Sequence, residues 1–363
     1  MTRIAKRRDK IRARLRREKL DGLLITNPIN VAYLTGFTGE DSYLLMTPKQ
    51  SIVLSDERFT TQLQEECPDL ELAIRGPGLK MLKCLAKTVT QTKVKKLGFE
   101  KSSLTVALHS ILTAELSKVN LIGADGWVEQ QRMIKDRDEI ARTRVACDLA
   151  RRAFEVVRAT LMPDMTERQV AADLEYQARR FGGKCMSFPS IVAVGPRAAL
   201  PHAQPTNQRL DSDAFLLIDW GVNEELYMSD LTRILVTAKI SPKLRKIYNL
   251  VLKAQLAGIK AIRPGITCEA VDRAARNVIA KAGYGKNFGH GLGHGTGLEI
   301  HEAPRLASGQ GTVLKPGMIV TVEPGIYLPG WGGVRIEDDV LVTRDGHEVL
   351  SKVPKQLDEC IVM

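Results

Sequence analysis

The sequence predicts an α/β (α+β) protein with a small N-terminal α/β domain and a larger C-terminal domain. Its 363 residues are enough for two separate hydrophobic cores. In the first third of the chain, short apolar segments alternate with helical segments, which is typical of an α/β domain with its own sheet. Further along, two strand–helix groups of similar size predict a second domain with an internal pseudo-repeat. We place the boundary after Asp125, which gives domains of residues 1–125 and 126–363.

The N-terminal domain begins with a basic helical segment and continues as an alternation of strands and helices. Ile4, Ile11 and Leu15 recur at helical spacing within residues 1–19. A strand over 22–26 is followed by a short helix over 30–34, a hairpin of 43–46 with 51–54, a helix over 58–66 and a strand over 70–74. Residues 79–89, 97–100, 104–116 and 120–122 continue the alternation and complete a mixed sheet.

The C-terminal domain combines helices with several strands. The predicted helices cover residues 133–161, 167–180 after an N-cap at Thr166, 242–262 and 268–282. The predicted strands cover residues 187–194, 318–323, 334–342 and 348–350. Residues 215–222 and 226–236 form a predicted hairpin that turns at Asn223-Glu224.

The charge distribution and the cysteine spacing indicate which partners and which cellular compartment to expect. The net charge is +11, and residues 1–19 hold ten Lys or Arg against two acids, so +8 of that charge lies there. We interpret this segment as a surface helix with a solvated basic face, with a weak contact to RNA or an acidic partner as the alternative. It lacks the apolar core of a secretory signal, and no apolar run approaches the roughly 20 residues that span a bilayer. Six cysteines without a C-x-x-C pair predict reduced thiols in a cytoplasm.

The strongest functional signal is a stretch dense in glycine and histidine, residues 288–304. It contains His290, His294 and His301 in a run that also holds five glycines. Glycine lets a backbone bend through positive φ and approach a ligand closely. We therefore predict a tight loop that presents imidazoles to a cavity, in place of a helix or a central strand. The spacing matches neither a helical His-x-x-x-His zinc motif nor a phosphate-binding loop.

Four acidic residues lie within apolar runs that otherwise predict buried strands. They are Asp219, Asp230, Glu323 and Glu337. A buried carboxylate is costly unless it is paired or binds a metal, so core ion pairs are the competing explanation. Four carboxylates balance the charge of two divalent cations. Oxygen-dominated ligation with one imidazole suits Mn²⁺, Co²⁺ or Fe²⁺, with Zn²⁺ as a further alternative.

These residues and their surrounding motifs resemble the Xaa-Pro aminopeptidase and prolidase family. The motifs are S-F-P-S-I-V-A-V-G, P-H-A, S-D-L-T-R, H-G-T-G-L-x-I-H-E-x-P, V-E-P-G-I-Y and G-V-R-I-E-D-D, in that family's order from Ser187 to Val340. The resemblance implies a dinuclear-metal peptidase domain of the pita-bread fold behind a creatinase-type N-terminal domain. It also implies removal of the N-terminal residue from peptides with proline in second position, by a hydroxide that bridges two divalent metals. Mn²⁺ is the ion that we favour. We expect a homodimer, and we expect neither a membrane nor a nucleic acid as partner.

The resemblance assigns the metal ligands individually. Asp219 chelates one metal, Asp230 and Glu337 bridge both, and His294 with Glu323 holds the other. Glu323 also shuttles a proton during the reaction.

The resemblance places five more residues on the substrate side. His202 and His301 are the substrate-side histidines, and one of them hydrogen-bonds the scissile carbonyl oxygen as it gains charge. His290, Arg335 and Tyr327 line the pocket for proline. For Arg335 the alternative is to orient an acidic ligand, and for Tyr327 it is a place in the core.

Some features leave the substrate range and the activity class open. Thr232 is expected to support a ligand carboxylate, but Ile234 stands where the family often has threonine, and Asp164 where glycine is common. The alternatives to an aminopeptidase are a strict Xaa-Pro dipeptidase, a creatinase-like amidinohydrolase and a non-catalytic binding protein on the same fold. The last two need fewer intact metal ligands than this chain has.

Overall fold

In the computed structural model, residues 2–362 are described, and the chain divides between Arg132 and Met133 into two compact units. The sequence placed the boundary after Asp125, ahead of a short helix that belongs to the first unit. No helix within residues 2–362 combines the length and the apolar character needed to cross a bilayer.

The first unit is a mixed six-stranded sheet with helices. Its helices are α1 (Arg3–Glu18), α2 (Pro28–Thr35), α3 (Thr60–Glu66), α4 (Met81–Gln91), α5 (Val106–Glu115) and α6 (Glu129–Arg132). Its strands are β1 (Gly22–Ile25), β2 (Tyr43–Met46), β3 (Ser51–Asp56), β4 (Glu71–Arg75), β5 (Lys96–Phe99) and β6 (Asn120–Gly123). The strand order is β4-β3-β2-β1-β5-β6, and β2 runs antiparallel to both of its neighbours. The predicted hairpin of β2 and β3 and the mixed sheet are confirmed.

Helix α1 forms where the sequence predicts it, because its ends are capped and one face is apolar. The hydroxyl of Thr2 accepts a hydrogen bond from the backbone N–H of Ala5, which satisfies a free donor of the first turn. Lys19 ends the helix in the left-handed conformation. Ile11 and Leu15 are fully buried on the inner face.

The second unit contains four helices and thirteen strands within residues 133–362. Its helices are α7 (Arg137–Thr160), α8 (Glu167–Arg180), α9 (Pro242–Ala261) and α10 (Cys268–Lys281). Its first strands are β7 (Cys185–Met186), β8 (Ile191–Val194), β9 (Phe215–Trp220), β10 (Val222–Glu224), β11 (Tyr227–Met228) and β12 (Leu231–Val236). The remaining strands are β13 (Gly293–Gly295), β14 (Glu302–Leu306), β15 (Ile319–Val322), β16 (Gly325–Leu328), β17 (Gly332–Arg335), β18 (Asp338–Val342) and β19 (His347–Val349).

These strands form several small sheets in place of one large sheet. Strands β12-β9-β8 make one three-stranded sheet, and β11-β10-β7 make another. Five strands pair in the order β14-β13-β15-β18-β19, and β16 pairs with β17 alone. Helices α7 and α8 pack together over one hydrophobic core, while α9 and α10 pack together over a second. The predicted α/β class with two strand–helix groups is confirmed.

The long helix of the second unit starts later than predicted. The sequence predicts its start at residue 133, but α7 begins at Arg137. The side chain of Asp136 accepts hydrogen bonds from the N–H groups of Asp138 and Glu139, and the carboxylate of Glu139 accepts one from the N–H of Asp136. This capping box fixes the first turn and excludes the preceding residues from the helix. The predicted N-cap of α8 at Thr166 is confirmed.

Four predicted strands are shortened or interrupted in the structure. The predicted strand over 187–194 is reduced to β8, and the one over 334–342 splits into β17 and β18, which pair in different sheets. The predicted hairpin splits into β9–β12 and β10–β11, and its tip lies at Glu225-Leu226. Both tip residues have positive φ, 46° and 73°. The sequence did not indicate this turn because neither residue is one that usually adopts that conformation.

The prediction of a loop around His294 is wrong in one respect. His294 lies on β13, which is an interior strand between β14 and β15. The flanking glycines explain why a strand is possible here. A Cβ on Gly293 would overlap the carbonyl oxygen of Thr321, and a Cβ on Gly295 would overlap that of Ala303. Only glycine lets the neighbouring strands come this close.

Candidate metal centre

Asp219 and Asp230 are brought together by the pairing of β9 with β12. Asp219 is the fifth residue of β9 and pairs with Thr232, while Asp230 immediately precedes β12. Both carboxylates are buried. The oxygen Oδ1 of Asp219 is shielded from solvent and has no hydrogen-bond partner among the described residues. A buried carboxylate oxygen without a donor is costly unless a cation completes its surroundings.

The imidazole of His294 is oriented so that one nitrogen is free to bind a cation. Its Nδ1 lies 3.1 Å from the carbonyl oxygen of Gly295, which can only accept a hydrogen bond. The proton is therefore on Nδ1, and Nε2 carries the lone pair. This Nε2 lies 3.6 Å from Oδ2 of Asp230 and 3.4 Å from Oε1 of Glu323.

Glu323 and Glu337 stand at the ends of β15 and β18, where the chain passes from one sheet to another. The N–H of Glu323 donates to the carbonyl of Leu292 at 2.8 Å, and its Oε1 accepts from the hydroxyl of Thr321 at 3.2 Å. Glu337 precedes β18 and its Oε2 accepts from the hydroxyl of Thr232 at 2.6 Å. Each carboxylate is thus held on one side by a hydroxyl donor.

One potential ligand atom each from Asp230, His294 and Glu337 lies within 4.8 Å of the others. Burial raises the pKa of Asp230 and of Glu337 well above the ordinary value, and the charges of neighbouring carboxylates raise both pKa values further. Burial also raises the pKa of Glu323 to about 8 and raises that of Asp219. Three buried acids and the half-buried Glu323, which repel one another in this way, fit divalent cations, whose charge would offset the repulsion. The donor set of carboxylate oxygens with one imidazole nitrogen fits the same conclusion.

Arg335 links Asp219 to the supporting residues of the site. Its Nη2 donates to Oδ2 of Asp219 at 2.5 Å, its Nε to the hydroxyl of Thr232 at 3.0 Å, and its Nη1 to the phenol oxygen of Tyr327 at 2.9 Å. The guanidinium is almost fully buried. Because Thr232 also donates to Glu337, Arg335 is linked to two of the acids, to Asp219 directly and to Glu337 through Thr232.

Hydrogen bonds with Gly291 and Tyr327 fix the tautomer of His290. Nδ1 of His290 lies 2.8 Å from the carbonyl oxygen of Gly291, so it carries the proton. Its Nε2 then accepts from the hydroxyl of Tyr327 at 2.9 Å. Burial, together with the nearby charge of Arg335, lowers the pKa of His290 to about 4. His290 is therefore neutral and presents an uncharged ring edge.

His301 and His202 form the open side of the site. The ring of His301 packs edge-on against His294, with 4.3 Å between ring centroids. Both His301 and His202 are exposed. Burial of part of the ring lowers the pKa of His301, and the charge of His202 lowers it further.

The sequence analysis missed a layer of residues behind the cluster of acids. Asp339 Oδ2 accepts from the N–H of Asp230 at 2.9 Å and from the thiol of Cys147 at 3.3 Å. Asp338 accepts from Arg233 at 2.7 Å, and Arg233 donates to the carbonyl of Glu337 at 2.6 Å. The signal was the E-D-D run itself, in which two further acids follow Glu337 inside an apolar strand.

The chain is similar to two family models that together cover most of its length. The model described as "Metallopeptidase family M24" matches residues 141–344. The model described as "Creatinase/Prolidase N-terminal domain" matches residues 7–134.

Relatives and solved structures are similar over nearly the whole chain. An uncharacterized peptidase of Bacillus subtilis (strain 168) is 38% identical over 338 residues, which are 93% of this chain and 95% of the relative. The structure of an Xaa-Pro dipeptidase from Bacillus anthracis is 38% identical with a TM-score of 0.94, and the match covers 99% of each chain. An X-Pro aminopeptidase from Thermotoga maritima MSB8 is 34% identical with a TM-score of 0.87, covering 93% of this chain and 97% of the other.

Proposed function

Because the chain belongs to metallopeptidase family M24, we propose that it is an aminopeptidase that hydrolyses the peptide bond between an N-terminal residue and proline. One observation carries the proposal: the oxygens of Asp230 and Glu337 and the lone-pair nitrogen of His294 converge within 4.8 Å, among further buried acids. Burying such a cluster of ionisable groups in a core destabilises the fold unless cations neutralise them, so the cluster is better explained as a cation-binding site.

Two divalent cations would be held by the five predicted ligands. In this proposal Asp219 chelates one ion, Asp230 and Glu337 bridge both, and His294 with Glu323 holds the other. When bound, the ions supply a hydroxide between them at neutral pH and draw electron density from the scissile carbonyl. Mn²⁺ is the ion that we favour, with Co²⁺, Fe²⁺ and Zn²⁺ as alternatives.

The protein's own groups position the substrate and move the proton. Glu323, at the edge of the acid cluster, takes up a proton at its carboxylate and returns it to the leaving proline nitrogen. His301 or His202 donates a hydrogen bond to the scissile carbonyl oxygen as it gains negative charge. Arg335 holds Asp219 in place through the 2.5 Å hydrogen bond, so its substitution would disturb a ligand before it disturbed the substrate.

The wall of the proposed proline pocket is formed by His290 and Tyr327. Their mutual hydrogen bond uses the polar atoms of both side chains, so their ring surfaces remain for apolar contact. A peptide bond to proline has no N–H, so its pocket needs no acceptor at that point. Arg335 closes this network from the buried side through its bond to Tyr327.

A strict Xaa-Pro dipeptidase is the second candidate function. The solved structures similar to this chain include both a dipeptidase and an aminopeptidase, with TM-scores of 0.94 and 0.87. A non-catalytic binding protein is the third, and the intact set of five ligands argues against it. We further propose a homodimer in the cytoplasm. The cytoplasm is supported by the six cysteines of residues 2–362, which are all free thiols, and light scattering would test the dimer.

A peptide panel tests the proposal. Ala-Pro, Ala-Pro-Ala and Ala-Ala-Ala are incubated with the protein after reconstitution with Mn²⁺, Co²⁺ or Zn²⁺. Release of alanine from Ala-Pro-Ala at a rate comparable with that from Ala-Pro supports the aminopeptidase. Cleavage of Ala-Pro alone would favour the dipeptidase, and no cleavage of any peptide by metal-loaded protein would contradict both.

A further inference from the structure

The basic side chains of α1 divide into an inward and an outward set. The inward set is Arg7, Arg8, Arg12 and Arg14, which all bind groups of the first unit. The guanidinium of Arg7 lies 4.0 Å from the ring centre of Tyr33, and that of Arg14 lies 4.5 Å from the ring of Trp127. These four arginines anchor the helix, so their charge is explained by the fold.

The outward set has no such role. It consists of Lys6, Lys10, Arg16 and Arg17, which are all exposed. Within residues 2–362, no acid pairs with Lys6, Lys10 or Arg16, and Arg17 pairs only with the exposed Glu18 beside it, at 3.1 Å. An exposed pair of this kind contributes little. At 1.5 Å per residue, Lys6 to Arg17 span about 16 Å along the helix.

The row of cations continues beyond the end of α1. The N–H of Asp21 donates to the carbonyl of Lys96 at 3.0 Å, and the carboxylate of Asp21 accepts from the N–H groups of Lys95 and Lys96. These bonds fix the end of the helix beside the start of β5. Lys95 and Lys96 therefore lie beside Asp21, two residues beyond Lys19, and the side chains of Lys19, Lys93, Lys95 and Lys96 are all exposed. We call the outward set and these four lysines the basic face.

The residue types on and beneath the basic face indicate which kind of polyanion it could bind. An amphipathic helix that lies on a membrane needs exposed large apolar residues, but Ile11 and Leu15 of α1 are buried. Binding of a single strand relies on exposed aromatic rings, but Tyr33 and Trp127 are buried beneath Arg7 and Arg14. What remains is a rigid row of cations, which suits a regular array of phosphates.

We propose that the basic face binds the phosphate backbone of a nucleic-acid duplex without reading its sequence. Lysine and arginine contacts to phosphates position a protein on a duplex and carry no base information. From charge alone the sequence favoured a solvated face. The separation of anchoring arginines from unpaired outward cations is the observation that changes this interpretation. The inference is independent of the proposed peptidase activity.

Salt dependence gives the quantitative expectation. If about five phosphates are contacted, the logarithm of the association constant should fall with the logarithm of salt concentration with a slope of about −4 to −5. Between 50 and 200 mM salt, that slope corresponds to a loss of affinity of about 10²–10³-fold. Fluorescence anisotropy with a labelled 20-base-pair duplex measures both quantities.

A pair of charge-matched variants tests the location. The first carries Lys6→Gln, Lys10→Gln, Arg16→Gln and Arg17→Gln, since glutamine retains the helix propensity of lysine and arginine. The control removes the same charge from exposed residues of α8, α9 and α10 through Arg180→Gln, Lys253→Gln, Lys260→Gln and Arg273→Gln. We expect the first variant to bind at least about 100-fold more weakly at 50 mM salt, with a slope reduced by about four, and the control to bind like the wild type. An unchanged melting temperature of the first variant verifies its fold.

The partner is identified by comparing probes at equal ionic strength. Duplex RNA and duplex DNA of one sequence show which nucleic acid is preferred, and binding to either supports the proposal. Three outcomes would overturn it: no duplex binding at 50 mM salt, equal weakening of both variants, or equally tight binding to polyglutamate or to vesicles that contain phosphatidylserine.

Discussion

The protonation of individual imidazoles decides what the site can do. In His294 the carbonyl of Gly295 holds the proton on Nδ1, so Nε2 points its lone pair toward the acids. In His290 the carbonyl of Gly291 likewise holds the proton on Nδ1, but Nε2 accepts a hydrogen bond from the hydroxyl of Tyr327. Two histidines four positions apart in sequence thus have the same tautomer. Nε2 is free to bind a cation in His294, whereas in His290 it already accepts a hydrogen bond. This difference makes His294 the candidate ligand and His290 the candidate wall of the pocket.

His301 provides the first prediction at this scale. If it stabilises charge on the scissile carbonyl oxygen, His301→Ala should lower kcat by about 10²–10³-fold while the bound metals stay in place. Steady-state kinetics with Ala-Pro-Ala and metal analysis of the same samples check both parts. His109→Ala is the control: this half-buried ring on α5 packs against Phe99 in the first unit, so its loss should leave both unchanged. Loss of metal in His301→Ala would show that His301 is a ligand instead.

His290 provides the second prediction, which concerns specificity. Selection by pocket shape is worth about 1–3 kcal/mol, so the wild type should prefer Ala-Pro-Ala over Ala-Ala-Ala by about 10–100-fold in kcat/KM. His290→Ala should reduce this ratio and affect Ala-Ala-Ala less. A variant that retains the full ratio would place the proline pocket elsewhere.

At the residue scale, the sequence identified the chemistry and not the supporting hydrogen bonds. The candidate ligands stand out because acids in apolar runs are rare. Arg335 illustrates the limit, because its contacts to Asp219, Thr232 and Tyr327 join strands that are far apart in sequence. Sequence spacing cannot show such contacts, since they depend on how separate sheets are placed together.

At the scale of elements, the acids occur where strands break. Asp230 lies between β11 and β12, Glu323 between β15 and β16, and Glu337 between β17 and β18. At each break the chain leaves one sheet and enters another, and a carboxylate occupies the gap. The sequence predicted continuous strands through two of these positions, because many of the flanking residues are apolar or β-branched. A hydrophobic pattern indicates that the residues on both sides of a strand break are buried. It does not indicate that they pair with strands of different sheets.

The glycines of β13 provide the prediction at this scale. In Gly295→Ala the new Cβ would overlap the carbonyl oxygen of Ala303, so β13 and β14 must separate. We expect a loss of about 1–3 kcal/mol in unfolding free energy, together with weaker metal binding because His294 shifts. Gly311→Ala is the control, since a Cβ there meets nothing within 4 Å. Urea unfolding of both variants measures the difference, and equal stabilities would contradict the close approach.

At the scale of the whole molecule, the acid cluster couples stability to pH and to metal. Burial raises the pKa of Glu323 to about 8 without cations, whereas an unfolded glutamate titrates near 4.3. Glu323 therefore binds its proton more tightly in the folded chain between these values, and its contribution to stability falls as pH rises through this window.

The fourth prediction is measured on the metal-free protein. One proton bound only in the folded state gives a slope of about −1.4 kcal/mol per pH unit in the unfolding free energy. Between pH 7.0 and 8.0, where unfolded histidine is mostly deprotonated, the Tm in EDTA should fall, and added Mn²⁺ should restore it more at the higher pH. Glu323→Gln should flatten the metal-free profile. A Tm that rises with pH in EDTA would contradict the raised pKa.

The sequence also anticipated most of the large-scale organisation. Alternation of strands and helices is local, so the mixed sheet of the first unit and the N-cap of α8 could be recognised. The division into several small sheets could not, because pairing between distant strands leaves no local pattern. The E-D-D run illustrates what could and could not be predicted. Glu337 was recognised as a candidate ligand. The roles of Asp338 and Asp339 were not, because they depend on contacts with Arg233 and Asp230, which lie far away in the sequence.

The most direct test is a titration of Mn²⁺ into protein stripped by EDTA, with bound metal and Ala-Pro-Ala hydrolysis followed in the same samples. The account predicts no activity without metal and full activity as the second ion per chain is bound. It also predicts that Asp230→Asn and Glu337→Gln, which remove proposed bridging groups, lose affinity for both ions together. Full activity in the metal-free protein, or wild-type metal binding by both variants, would contradict a centre built from these residues.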